Sequence, residues 1–144
     1  MTTKSDFTPE EWKQIQEGPV TAGMLLLSAE SGGTFRETFA LARAFTDARK
    51  KHGESELLDE LVEAKPQFDR HRYKTTEDLH DEGLKVIGEA AALVRAKATA
   101  EESTAYNEFV LTAASSVAAA HKEHGEHVSE KEQAALDEVR AQLQ

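Results

Sequence analysis

The sequence marks its own helix starts. Thr8 with Glu11, Thr34 with Glu37, Thr99 with Glu102 and Ser129 with Glu132 all carry a hydroxyl residue followed three positions later by glutamate. In this capping box the hydroxyl accepts from the backbone N–H of the third helical residue, and the glutamate reaches back to the cap. A chain so punctuated folds into several short helices. Nothing alternates with period two between turn residues, so strands are not expected. Pro9 falls at the first helical position after Thr8, where its missing N–H costs nothing. Pro19 is read in the same way, as the start of a second helix after Gly18.

Seven helices follow from these signals, at about 9–17, 19–30, 35–52, 55–64, 76–98, 100–124 and 130–143. Gly53 fits a C-terminal cap, and Pro66 stops the fourth helix because the residue before a proline avoids the α region. The stretch 65–75 is the long irregular connection. Leu79, Val86, Ile87, Ala90, Val94 and Ala98 recur at helical spacing, as do Tyr106, Phe109, Val110, Ala113, Val117 and Ala120. The second set sits among alanines and serines, whose small side chains let neighbouring helices approach. That helix is therefore expected at the centre. Phe35, Phe39, Ala42 and Phe45 form an aromatic ridge read as core, and Trp12 with Ile15 folds the first helix onto the bundle.

The chain is also partly self-similar. Residues 20–29 and 109–118 are apolar helical runs, each followed by a glycine-containing link and a capped helix start. The expected architecture is one all-α domain over 1–144, a compact bundle of about seven helices with an internal pseudo-twofold pair of helical hairpins. At 144 residues it is long enough for one real core and short for two.

Composition narrows the chemistry. The chain has no cysteine, which removes disulfides, thiolate metal sites and cysteine nucleophiles together. Its formal net charge is −10, so it repels phosphate backbones, and Arg49-Lys50-Lys51 is too short a basic run to offset that; no nucleic-acid partner is expected. The acidity suits a cation, a basic protein partner, or solubility alone. No segment approaches the ~20 apolar residues that cross a bilayer, so no membrane insertion is expected. The opening Met1 to Asp6 lacks the apolar region of a secretory signal, and the expected location is the cytoplasm.

The richest chemistry lies in the last link, where His121, Glu123, His124, Glu126 and His127 bring three imidazoles and two carboxylates together. Such a set suits a transition-metal ion. The competing reading is a solvated helix end, where His and Lys complement the negative C-terminal dipole. The first link offers Glu30 and Glu37 around Ser31-Gly32-Gly33, with a tight helical hairpin as the alternative. No EF-hand spacing is present. Glu77 and His80 have the Glu-x-x-His spacing of carboxylate-bridged di-iron bundles, but no second copy exists, and Glu77 and Asp78 fit a first turn where the helix dipole favours acids. The nucleophile elbow, the phosphate loop and His-Glu-x-x-His are all absent.

The second hairpin, with Gly125, Val128, Ser129 and Glu132, and the first, with Gly33, Thr34 and Glu37, together resemble the TerB-like family associated with tellurite resistance and related stress systems. The resemblance covers about two thirds of the chain. It implies a helical bundle with pseudo-twofold symmetry and a cytoplasmic stress-response or scaffolding role. The link acid of that pattern is replaced by His124 in the second hairpin and by Ser31 or Gly32 in the first. The expected function is non-enzymatic binding of a divalent metal ion, or of a partner protein at the acidic surface. The expected ligands are Glu123, His124, Glu126, His127 and Glu132, with Glu30 and Glu37 at the other link. The alternatives are a carboxylate-bridged metalloenzyme built on Glu77 and His80, and a pure assembly adaptor.

Overall fold

The computed structural model describes residues 3–29, 35–50, 56–63, 73–122 and 130–144, without the side chains of 28–29, 35–39, 76 and 120–122. Six α-helices follow a short 3-10 turn at Lys4–Asp6: α1 (Pro9–Ala29), α2 (Phe35–Lys50), α3 (Glu56–Glu63), α4 (Thr76–Lys97), α5 (Ala100–Lys122) and α6 (Glu130–Gln142). No strand occurs among the described residues. The chain is an all-α compact bundle.

Two of the capping boxes form as expected. Thr8 N–H donates to Glu11 Oε1 at 2.9 Å while Glu11 N–H donates to Thr8 Oγ1 at 3.1 Å. Thr99 and Glu102 exchange the same pair at 3.3 and 3.1 Å. Each pair satisfies backbone donors that a helix start leaves without partners. The boxes at Thr34 and at Ser129 lie outside the described residues. A further cap, absent from the sequence reading, opens α4, where Thr75 Oγ1 accepts from Asp78 N–H at 3.0 Å. At α1 the residue before the cap, Phe7, packs its ring 5.9 Å from that of Trp12. This hydrophobic staple fixes the angle at which the chain enters the helix.

The expected break at Gly18-Pro19 does not occur, and six α-helices stand among the described residues where seven were expected. Pro19 lies inside the single 21-residue helix α1. A proline within a helix removes the hydrogen bond to the carbonyl four residues earlier, here Ile15. Tyr106 of α5 replaces the missing donor: its hydroxyl donates to Ile15 O at 2.8 Å. The phenol is fully buried, and burial pushes its pKa well above the usual value, so it stays a donor. Gly18 makes the approach possible, because a Cβ there would collide with the Tyr106 hydroxyl. A residue pair that reads locally as a helix end is thus bridged by a donor from another helix.

That bridge sets the packing. α1 crosses α4 and α5, α2 lies on α5, and α5 touches every other helix, which is the central position its small residues predict. Leu26, Ile87, Val94, Val110 and Val117 are completely or almost completely buried. Burying each such aliphatic side chain contributes about 1.5–3 kcal/mol. Phe45 and Phe109 meet edge to face at 5.0 Å and lock α2 to α5. Phe35 and Phe39, expected on the same ridge, have side chains outside the described residues. Gly23 lets Leu41 of α2 lie directly on the α1 backbone. The main partners of α1 are α4 and α5 rather than α2.

The short α3 is held through Leu57, Leu61 and Val62, all buried, and through Arg49, which donates to the Val62 carbonyl. At the other end of the chain α6 buries Leu136 and Val139, and Leu143 follows them inward. The Leu143 carbonyl accepts from Arg95 of α4 at 3.2 Å and Asn107 of α5 at 3.1 Å.

Gly18→Ala should destabilise the fold by about 1–3 kcal/mol in urea denaturation, since the added methyl forces the Tyr106 ring off its acceptor. The same substitution in a Tyr106→Phe background should cost clearly less, because the colliding oxygen is gone.

Candidate functional site

The residues expected to bind divide sharply by where they fall. Glu30, Glu123, His124, Glu126 and His127 lie outside the described residues, and Glu37 belongs to α2 but its side chain is not described. Glu132 is the one candidate ligand whose side chain is located. It sits in the first turn of α6 at 1% exposure, whereas Glu130 and Lys131 beside it are exposed. The helix dipole favours an acid in that position. Its side chain is buried in the bundle, unlike that of Glu130 in the same turn. Among the described residues, no group of three or more His, Asp and Glu is arranged to hold a metal ion.

Glu77 and His80 do not face the bundle interior. Both are exposed on α4, while Leu79 between them is buried as the helical spacing predicts. The inward pair that a carboxylate-bridged centre needs is not formed by these two residues. His80 instead lies between two carboxylates. Its Nδ1 is 3.0 Å from Asp81 Oδ1, and its Nε2 is in hydrogen-bond contact with Glu138 of α6. The two ring nitrogens point in opposite directions, so the two acids cannot share one ion with the imidazole. The hydrogen bonds to Asp81 and to Glu138 hold the His80 pKa above its ordinary value, against the opposing effect of partial burial. Glu138 was missed from sequence because it lies 58 residues away on another helix, and no local spacing links it to His80.

A second cluster surrounds the start of α1. Thr3, Lys4, Phe7, Pro9, Trp12 and Glu60 line an open groove of about 860 Å³ between the 3-10 turn, α1 and α3. Lys4 N–H donates to Glu60 Oε2 at 2.6 Å and ties the first turn to α3. Phe7 and Trp12 are 7% and 4% exposed, so the aromatic rings form the wall of the core and offer little free surface to a ligand. Lys97, at the end of α4, reaches over this cluster. Its Nζ is 2.7 Å from Glu11 Oε1 and 5.6 Å from the centre of the Phe7 ring. One ammonium thereby serves an ion pair and a cation–π contact at once.

The outer faces are rich in acids. Glu77, Asp81, Glu82 and Glu89 are exposed on α4, and Glu101 and Glu108 on α5. No helix among the described residues is long and apolar enough to cross a membrane.

The Lys97 hydrogen bond, followed by the Thr8 backbone N–H, holds the Glu11 pKa below its ordinary value. A depressed carboxyl stabilises the fold above its unfolded pKa, and that contribution is lost as pH falls through the folded value. Lys97→Met keeps the aliphatic stem and removes the charge. NMR titration should then show the Glu11 pKa moving up, and the acid side of the stability profile should flatten. Comparison with protein-family models, with curated proteins and with solved structures finds no match for this chain.

Proposed function

We propose that this chain is a TerB-like, non-enzymatic helical domain of stress-response type that works in the cytoplasm by binding. Its two helical hairpins are related by a pseudo-twofold, and its inter-helix links over 30–37 and 123–132 meet a divalent metal ion. The observation that carries this reading is the placement of Glu132. A carboxyl held at 1% exposure in the first turn of α6 gives the end of the second link a fixed acidic anchor. Glu123, His124, Glu126 and His127 precede it by at most nine residues, within reach of a common ion. The ligand set of imidazole and carboxylate favours zinc, nickel or iron over calcium.

A second reading is favoured by a separate observation. The exposed acids Glu77, Asp81, Glu82 and Glu89 give α4 a negative outer face, which suits a basic protein partner as an assembly adaptor would use it.

Isothermal titration of the full chain with zinc, nickel, iron(II) and calcium separates the two. The metal reading expects one of the transition ions to bind more tightly than millimolar, with His124→Ala losing most of the affinity and His80→Ala keeping it. Absence of binding tighter than millimolar for every ion overturns the metal reading. Loss of binding in His80→Ala with none in His124→Ala overturns the choice of site.

A further inference from the structure

We propose that His80 is a proton-operated latch between α4 and α6: the imidazolium holds Glu138 against α4, and the neutral ring lets α6 open more readily. The geometry requires the charged form. Nδ1 faces Asp81 and Nε2 faces Glu138, and both carboxylates are acceptors only. A neutral imidazole carries one N–H, so one of its two acids would face a lone pair. Only the doubly protonated ring satisfies both.

Among the described residues Asp81 of α4 and Glu138 of α6 are the acids bonded to the ring, and Glu77 is exposed one turn earlier on α4. Where α1 meets this stretch of α4, at Gly83, it presents Thr21 and Leu25, which carry no charge. On the same two helices Lys85 lies 3.9 Å from Glu89, and Arg140 lies 3.4 Å from Asp137. Asp81 raises the affinity of the ring for its proton within one helix. Glu138 alone converts that proton into a tie between helices.

The position of the tie gives it leverage. Glu138 adjoins Val139, one of the few side chains that α6 buries. Beyond it, Arg95 and Asn107 hold the Leu143 carbonyl by bonds that do not change between pH 6 and 8. The latch therefore acts on α6 ahead of a fixed C-terminal anchor. A group whose folded pKa is raised contributes fully below its unfolded value, about 6.5 for histidine, and the contribution disappears as pH rises through the folded value. The latch is closed in mild acid and open in mild alkali.

Amide hydrogen exchange of the full chain, read by NMR at pH 6 and pH 8 and corrected for intrinsic rates, tests this directly. The opening constant at Leu136 and Val139 should rise several-fold with pH, while that at Val110 and Ala113 of α5 changes much less. In Glu138→Gln and in His80→Gln the difference between the two pH values at α6 should vanish, whatever the absolute level of opening. In parallel the wild-type His80 ring should titrate above about 6.5 and shift down in Glu138→Gln. A wild-type α6 that opens equally at both pH values, a His80 pKa at or below the ordinary value, or a pH dependence that survives in Glu138→Gln would each overturn the latch.

Discussion

The Ile15 carbonyl, deprived of its helical donor by Pro19, is the point on which this bundle turns. A buried acceptor without a partner costs about 1–3 kcal/mol, enough to end a helix or bend the chain elsewhere. The Tyr106 hydroxyl removes that cost at 2.8 Å, and α1 continues to Ala29. Because α1 stays whole, it can cross both α4 and α5. The donor comes from the first third of α5, the helix that touches every other one. One hydrogen bond therefore joins the longest-reaching contact surface of α1 to the centre of the molecule. Gly18 and Pro19, each unfavourable in a helix interior, act here as a fitted pair: one opens the slot and the other leaves the acceptor.

Much of the fold could be read locally because its signals are local. Thr8 and Glu11, or Thr99 and Glu102, stand three residues apart and act on one another's backbone, so their spacing is their mechanism. The buried stripe of α5, from Tyr106 to Val117, follows the helical period because one face meets the core. What misled was a local signal overruled from a distance. Gly-Pro predicts a boundary, and the group that cancels it lies 91 residues from Ile15 in sequence. Tyr106 was recognised as core, but nothing in its neighbours specifies that its hydroxyl ends on a carbonyl of α1. The same limit applies to His80: the sequence placed Leu79 rather than Glu77 and His80 toward the core, but nothing local showed that the exposed imidazole pairs with Glu138.

The candidate site shows the complementary situation. Its sequence signal, the density of imidazole and carboxylate between 121 and 132, is strong in composition and weak in geometry. Glu132 is the candidate ligand of that segment whose geometry is known, a buried acid in the first turn of α6. α5 and α6 flank the segment, and the end of α6 is fixed to α4 and α5 through the Leu143 carbonyl. Charge acts on a different scale. The acids spread over α4 and α5 set a negative field, while specific pairs such as Lys97 with Glu11 hold one helix end to another.

The central claim is that Tyr106 stands in for the N–H that Pro19 lacks. A double-mutant cycle between Pro19→Ala and Tyr106→Phe, measured by urea denaturation, tests it most directly. With Pro19 present, loss of the hydroxyl should cost about 1–3 kcal/mol. With alanine at 19, the restored N–H can serve Ile15, and the same loss should cost far less. An equal cost in both backgrounds would contradict the account.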